Sequence, residues 1–305
     1  MSSTLKNKTV IIIAGPTAVG KTTVAIDIAR HFNTEIISAD SRQCFKELDI
    51  GVARPSVEEL EKVKHHFIAS HSIHEGVNAA GFEKYALEKA KALFRDHDVV
   101  VMVGGTGLYI KAFCEGLDDI PAIDQAIREE ITRSYAQKGL SWLQQEVQEK
   151  DPAFYKVGEV QNPQRMMRAL EVIASTGQSV LHFRKGRKME RDFAIIKTGL
   201  ELPKESLHHN IHTRVGRMME AGLLEEVKSL IPFKQLNALQ TVGYSEIFDH
   251  LDGKITLAQA VADIKTNTRQ YAKRQMTWFR RDKEIKWVST AAIKEIIAFA
   301  EDVHP

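Results

Sequence analysis

Gly15-Pro16-Thr17-Ala18-Val19-Gly20-Lys21-Thr22 decides how this chain folds. The stretch fills every fixed position of G-x-x-x-x-G-K-[ST], a loop whose backbone N–H groups wrap a phosphate chain. Before it, Val10-Ile11-Ile12-Ile13-Ala14 reads as a fully buried strand; after it, Ala25, Ile28, Ala29 and Phe32 recur at helical spacing. Strand, glycine-bounded loop and helix N-terminus together aim N–H dipoles at an anion. Lys21 adds a positive charge, and the Thr22 hydroxyl is placed to hold Mg²⁺. The loop binds a phosphate chain; the pattern alone does not say which molecule carries it.

Outward from the loop, the signals stay α/β to about residue 116. Glu35-Ile36-Ile37-Ser38 predicts a second strand ending at Asp40, and His66-Phe67-Ile68 a short third. A helix is expected from Ala79 to Phe94, then a buried strand over Val99 to Val103 leading into Gly104-Gly105-Thr106-Gly107. Such alternation implies a parallel sheet with helices on its faces and ligands at the carboxyl ends of the strands. The phosphate loop, Asp40 and Thr106 all sit at such ends. From about Leu117 to Arg191 strand signals vanish. Helical segments at Ile123 to Lys138, Leu140 to Lys150 and Pro163 to Thr176 are punctuated by Pro121, Gly139, Pro152, Pro163 and Gly177. Phe193 to Ile196 returns to strand, with Leu200 to Leu202 as an extension, and a helix from Pro203 through Met219 follows. The predicted organisation is a phosphate-loop NTPase-like parallel sheet core, residues 1–116 and 192–305 with its C-terminal helices. A helical insertion, 117–191, interrupts it.

The chain has 305 residues, 43% of them hydrophobic and 27% charged, with a formal net charge of +2. This is an ordinary soluble composition, and the near-neutral balance neither favours nor excludes a nucleic acid. Cys44 and Cys114 form no C-x-x-C pair, which argues against a disulfide scaffold or cysteine zinc site and fits a reducing cytosol. Lys6 and Lys8 precede an apolar run too short for a signal peptide, and no stretch approaches a membrane span. The histidines show no zinc-ligand spacing. Without a signature of self-association, a monomer is expected.

Many phosphate-loop enzymes that cleave ATP or GTP hold Mg²⁺ through an Asp at the end of a buried strand. The natural strand here ends in Gly104, Gly105 and Thr106, which lowers the case for a motor or switch NTPase and leaves kinases and other diphosphate chemistry open. Asp40 reads either as a turn or helix-cap carboxylate or as a base beside the phosphate site. The glycines around Thr106 let backbone approach a ligand closely, or simply make a tight strand-to-helix turn capped by Thr106. Arg214 and Arg217 could reach back to a leaving phosphate or belong to a solvated helix face. Basic residues cluster in three places. Lys265, Arg269, Lys273, Arg274, Arg280, Arg281 and Lys283 form one cluster, with Arg269, Lys273 and Arg280 on one helix face beside Ala272, Met276 and Phe279. Arg184, Lys185, Arg187, Lys188 and Arg191 form a second, Arg165 and Arg168 a third. Three such clusters in a near-neutral chain suggest a polyanion larger than a nucleotide, and RNA before duplex DNA.

These segments together resemble the bacterial tRNA dimethylallyltransferases, also called tRNA isopentenyltransferases, through nearly the whole chain. The resemblance is carried by GPTAVGKT at Gly15 to Thr22, IISADSRQ at Ile36 to Gln43, DIGVARP at Asp49 to Pro55 and VGGTGLYI at Val103 to Ile110. NPQRMMRALEV at Asn162 to Val172, GYSEI at Gly243 to Ile247 and TRQYAKRQMTWFRR at Thr268 to Arg281 complete it. It implies a phosphate-loop core with a helical, tRNA-binding insertion. The implied reaction transfers a dimethylallyl group from dimethylallyl diphosphate to N6 of the adenosine immediately 3′ of the anticodon. Gly15 to Thr22 would hold the diphosphate and Mg²⁺, not ATP.

By the same resemblance Asp40 is the base, Thr106 lies near the diphosphate bridge, and Arg214 neutralises the departing diphosphate with Lys21. The tRNA anticodon stem-loop would meet Asp40, Ser41, Arg42, Gln43, Thr106, Arg128, Gln164, Arg165, Met166, Met167 and Arg168. Gln240, Thr241, Val242, Gly243, Tyr244 and Ser245 would join them, with Arg269, Lys273 and Arg280 from the basic helix. Asn210 stands where the family frequently has Arg, one turn before Arg214. No cysteine follows Cys114, so a bacterial or organellar type without a C-terminal zinc finger is expected. A phosphate-loop kinase and a non-catalytic RNA-binding module are the competing readings. The first predicts ATP consumption, the second RNA affinity indifferent to diphosphates.

Overall fold

The structure is a computed structural model that describes residues 8–186 and 188–303; Lys6 and Arg187 lie outside the described residues. Its first elements are β1 (Thr9–Ala14), α1 (Lys21–His31), β2 (Ile36–Ser38), α2 (Val57–Lys62), β3 (His65–His66), α3 (Ala79–Leu93), β4 (Val99–Gly104) and α4 (Gly107–Glu115). Four further helices follow: α5 (Gln125–Lys150), α6 (Pro152–Val157), α7 (Pro163–Thr176) and α8 (Val180–Phe183). The chain then continues through β5 (Ala194–Glu201), α9 (Lys204–Glu220), α10 (Leu223–Ser229), α11 (Tyr244–Leu251), α12 (Leu257–Phe279), β6 (Lys286–Ser289) and α13 (Ile293–Val303). Two compact units result, residues 1–114 with 190–305, and residues 115–189.

The larger unit is built on one sheet of order β3-β2-β4-β1-β5-β6, in which every neighbouring pair runs parallel. Every residue of β1 is buried, as expected of a β-branched run covered on both faces. Alternation sends Val10 and Ile12 into one layer, with Met102, Phe82 and Phe113, and Ile11 and Ile13 into the other, with Val24, Ile28 and Val101. Each such side chain contributes about 1.5–3 kcal/mol when fully buried, so this strand fixes the register of the phosphate loop that follows it.

Two strands differ from expectation. The third ends at His66, because Phe67 and Ala69 take positive φ, +64° and +44°, and turn the chain off the sheet. Packing of the Phe67 ring on Phe82 and Tyr85, with centroids 5.1 and 5.0 Å away, holds that conformation. β5 is one continuous strand rather than two pieces. Lys197, in its middle, interrupts the apolar signal but satisfies its charge on Asp282 (2.8 Å) and Glu284 (2.7 Å). Gly199 keeps the strand narrow where Ile285 and Trp287 cross it.

The smaller unit, residues 115–189, is all helical, around Leu143, Val147, Phe154, Met166, Leu170 and Val172. Its boundaries follow local chemistry. α5 breaks at Gly139, which sits at φ +76°. The Asp151 side chain caps α6 by accepting from Phe154 N and also holds the Ser179 hydroxyl. Asn162 caps α7 ahead of Pro163 at its first turn, and Gly177 at φ +71° ends it.

Candidate active site

β2, β4 and β1 are neighbours in the sheet, so the segments leaving their carboxyl ends meet. Ala39 N donates to Val103 O (2.7 Å) and Thr106 N to Ala39 O (3.2 Å). The Thr106 hydroxyl accepts from Ser41 N at 3.0 Å and donates to Ser41 Oγ at 3.3 Å. Its side chain therefore ties two strand ends together instead of capping α4. The glycines around it are also required by protein packing, and Gly104 and Gly105 line the cavity. A Cβ on Gly104 would overlap Ala39, one on Gly105 would overlap Gln275 Nε2, and one on Gly107 would overlap the Trp278 ring.

The phosphate loop has the backbone its sequence implies. Gly15, Ala18 and Gly20 lie at positive φ, +146°, +64° and +97°, which points successive N–H groups to one side. A non-glycine residue at positive φ costs of order 1–3 kcal/mol, so Ala18 stores strain at the loop's centre. A Cβ on Gly15 would lie 2.8 Å from Leu200 O, so that glycine lets the loop cross β5. Val19 is buried beneath the loop.

Side chains from distant helices close around this backbone. Lys21 Nζ donates to Pro16 O at 2.7 Å, Arg214 Nη1 to Thr17 Oγ1 at 3.1 Å and Asn210 Nδ2 to Ala18 O at 3.1 Å. Gln275 Oε1 accepts from Thr17 N at 2.8 Å. Burial and then the Arg214 charge lower the Lys21 ammonium to a pKa of about 7, partly offset by the Asp40 carboxylate. Burial also lowers Arg214, against the attraction of Glu59 and Asp40. Two basic groups desolvated at one loop would be stabilised in their charged forms by a multiply charged anion.

Asp40 lines the same cavity, of about 1120 Å³. Its Oδ1 accepts from Arg42 N (2.9 Å) and Gln43 N (3.2 Å). The turn-carboxylate reading of Asp40 is thus realised on one oxygen, and its charge acts on Lys21 and Arg214. Arg42 Nη1 reaches Asn237 O at 2.9 Å, and Gln43 Nε2 reaches Ala53 O at 2.9 Å.

The remaining sequence-predicted residues divide by exposure. Gln240 and Lys273 are exposed, and Thr241, Val242, Ser245 and Arg269 half-buried. Gly243, at φ +99°, lets the chain enter α11. Tyr244 is wholly buried with its hydroxyl on Glu226, so it offers no side chain to a partner; Glu226 also accepts from Ile50 N and Gly51 N. Arg280 pairs with Glu201 at 3.1 Å and lies over the Trp287 ring. In the helical unit Gln164 and Arg165 are exposed, but Met166 and Met167 are core residues of that unit. Helical spacing turns the two methionines inward, so α7 presents Gln164, Arg165 and Arg168 instead. Arg128 and Arg168 share Glu171 at 3.4 and 3.3 Å, and Arg165 pairs with Glu159.

Sequence reasoning missed Asn210 as a loop contact, Glu226 as a loop anchor and Gln275 altogether. Gln275 had a signal: it is a polar residue on the buried stripe between Ala272 and Phe279. Among the described residues no group of three or more His, Cys, Asp or Glu could hold a metal ion. Thr22 and Asp40 are among the side-chain oxygens that line the cavity. That sparse set fits a hydrated Mg²⁺ arriving with phosphate oxygens, and not a protein-built cage. No helix among the described residues is long and apolar enough to cross a membrane.

A phosphate loop after the central strand of a parallel sheet, with Lys21, Arg214 and Asp40 lining one cavity, defines a phosphate-loop protein. The IPP transferase family model matches residues 43–282, and the chain belongs to that family. It is 47% identical over 295 residues to the tRNA dimethylallyltransferase of Cytophaga hutchinsonii, covering 97% of each chain. With the corresponding protein of Christiangramia forsetii it shares 50% identity over 277 residues, 91% of this chain and 92% of the other. Among solved structures, the full-length tRNA isopentenylpyrophosphate transferase of Bacillus halodurans superposes with a TM-score of 0.72 at 33% identity, covering 98% and 97% of the two chains. A eukaryotic dimethylallyltransferase acting on tRNA superposes with a TM-score of 0.80 at 25% identity, covering 97% of this chain and 79% of that one.

Proposed function

We propose that this protein transfers a dimethylallyl group from dimethylallyl diphosphate to N6 of the adenosine immediately 3′ of the anticodon in tRNA. The observation that carries the proposal is the pair Lys21 and Arg214, desolvated at the phosphate loop opposite the Asp40 carboxylate. The loop amides, Lys21 and Arg214 bind the diphosphate. As the allylic C1–O bond breaks, its electron pair leaves with the diphosphate, and the two cations stabilise that growing charge. The N6–C1 bond forms on the opposite side, and the N6 proton passes to Asp40, anchored through Oδ1 so that Oδ2 takes the proton. Thr106, fixed through Ser41, holds the carboxylate-bearing turn against the end of β4. The Thr22 hydroxyl would hold a Mg²⁺ arriving with the diphosphate, and the ion would supply further charge neutralisation there.

The target base must leave its stack to reach the cavity. Arg42, Gln43 and Gln240 at its rim, Arg269 and Lys273 on α12, and Gln164, Arg165 and Arg168 on α7 are the residues that would meet the anticodon stem-loop. The protein would work in the cytoplasm as a monomer. Incubation with dimethylallyl diphosphate, Mg²⁺ and an unmodified tRNA carrying adenosine at that position should give N6-isopentenyladenosine on digestion. Absence of the prenylated nucleoside, or ATP consumption in place of donor consumption, refutes the assignment.

A further inference from the structure

We infer that Gln275 is a positioning residue for this transfer, one that keys the phosphate loop to the turn carrying Thr106. This rests on the function proposed above. Gln275 Oε1 accepts from Thr17 N at 2.8 Å, and its Nε2 donates to Gly105 O at 2.9 Å. The side chain is 6% exposed, so both bonds are shielded from water. One amide therefore spans the two segments between which the leaving group and its catalytic neighbours must be spaced.

Three further observations converge on the same bridge. Thr17 also accepts Arg214 Nη1 on its hydroxyl, so the residue that Gln275 holds by its backbone is the one that aims Arg214. Gly105 has no room for a Cβ because Gln275 Nε2 occupies that space, and Gly107 has none because of Trp278. Thr106 is thereby pinned between Ala39 on one side and α12 on the other. Gln275 finally sits on α12, whose Tyr271 and Arg274 line the cavity and whose Lys273 is exposed. The helix proposed to meet RNA thus has its inner face bonded to the cradle. Gln275 is the α12 side chain that hydrogen-bonds to both the loop and the turn carrying Thr106.

A group that fixes spacing acts on the transition state more than on ground-state binding. Gln275→Met keeps the volume and loses both hydrogen bonds. The expected result is a kcat at least tenfold lower, with KM for tRNA changed less than threefold. Gln275→Glu supplies the sharper readout. A protonated carboxyl restores both bonds, donating to Gly105 O and accepting from Thr17 N, whereas the carboxylate cannot donate and repels the diphosphate. Its activity relative to wild type at each pH should therefore rise several-fold from pH 8.5 to pH 6. The Tm increase produced by inorganic diphosphate should follow the same trend, and it needs no prenyl transfer to be measured. A flat Gln275→Glu to wild-type ratio across pH, or a Gln275→Met protein that keeps wild-type kcat, overturns the inference. A wild-type protein that binds diphosphate but prenylates nothing sinks the proposed function instead and leaves the diphosphate readout to judge Gln275.

Discussion

Replacing Lys21 with Met should make the ligand-free protein more stable and inactive. Burial and the neighbouring Arg214 lower the Lys21 pKa from 10.5 to about 7 in the folded chain. Between these values the unfolded chain binds the proton and the folded chain releases it, so stability rises with pH across that window. Below pH 7 both states are protonated and the full penalty of burying the ammonium is felt. At about 1.4 kcal/mol for each pH unit, that penalty is about 5 kcal/mol. Relaxation and water reaching the loop reduce it, and the lost bond to Pro16 O returns about 1 kcal/mol. A net gain of about 1–3 kcal/mol is left at pH 6, or about 2–10 °C in Tm for a domain of this size. Thermal unfolding of both proteins from pH 6 to pH 10 checks it: the Lys21→Met advantage should be largest at pH 6 and vanish near pH 10. In wild type, inorganic diphosphate should raise Tm most at low pH, where Lys21 is already charged; the variant should lose that pH dependence. Parallel stability curves, or a variant less stable at pH 6, would refute the reading of Lys21 as a desolvated ammonium.

Asp40→Asn keeps an oxygen for the Arg42 and Gln43 amides, so tRNA affinity and Tm should stay close to wild type. Prenyl transfer should fall about 10²–10⁴-fold, and surviving turnover would move the base elsewhere. Gly107→Ala drives a Cβ into Trp278 and should lower the urea unfolding free energy by about 1–3 kcal/mol; an unchanged midpoint contradicts the packing of α12 on that turn. Lys273→Ala should weaken tRNA binding and reduce the salt slope by about 1. Arg280→Ala should change it less, because Glu201 and Trp287 already engage that guanidinium. A larger effect at Arg280, read from tRNA affinity at two salt concentrations, reverses that ranking.

What the sequence made legible was whatever depends on local pattern. The phosphate loop announced itself because glycine, lysine and threonine at fixed spacing have few other uses, and β1 and β4 because β-branched runs bury on both faces. The break at Gly139 and the stop at Gly177 followed from the conformational preferences of those residues, whereas the Asn162 cap was not read. Less legible was anything set by partners far along the chain. Met166, Met167 and Tyr244 stand inside motifs that surround exposed residues, yet each packs inward, and only the helix phase or the Glu226 contact reveals it. Gln275 lies 258 residues from Thr17, and no spacing rule joins them. β5 was read in two pieces because Lys197, whose acidic partners come from the connection before β6, interrupts its apolar run.

The absence of a carboxylate at the end of β4 has a steric cause as well as a chemical one. Gly104 and Gly105 are pressed between Ala39 and Gln275, and any side chain at either position would overlap them. An Asp placed there to hold Mg²⁺ for ATP cleavage has no space. Negative charge enters instead from the neighbouring strand end, where Asp40 sits anchored by its own turn. A carboxylate in that place lines the same cavity as Lys21 and Arg214 and acts electrostatically on both. In the function proposed above, its free oxygen would accept the N6 proton as the diphosphate departs. The packing that joins β4 to β2 and α12 therefore turns a nucleotide cradle into one for a leaving group. It does so through the same side chains, Thr106 and Gln275, that set the distance between the two halves of the site.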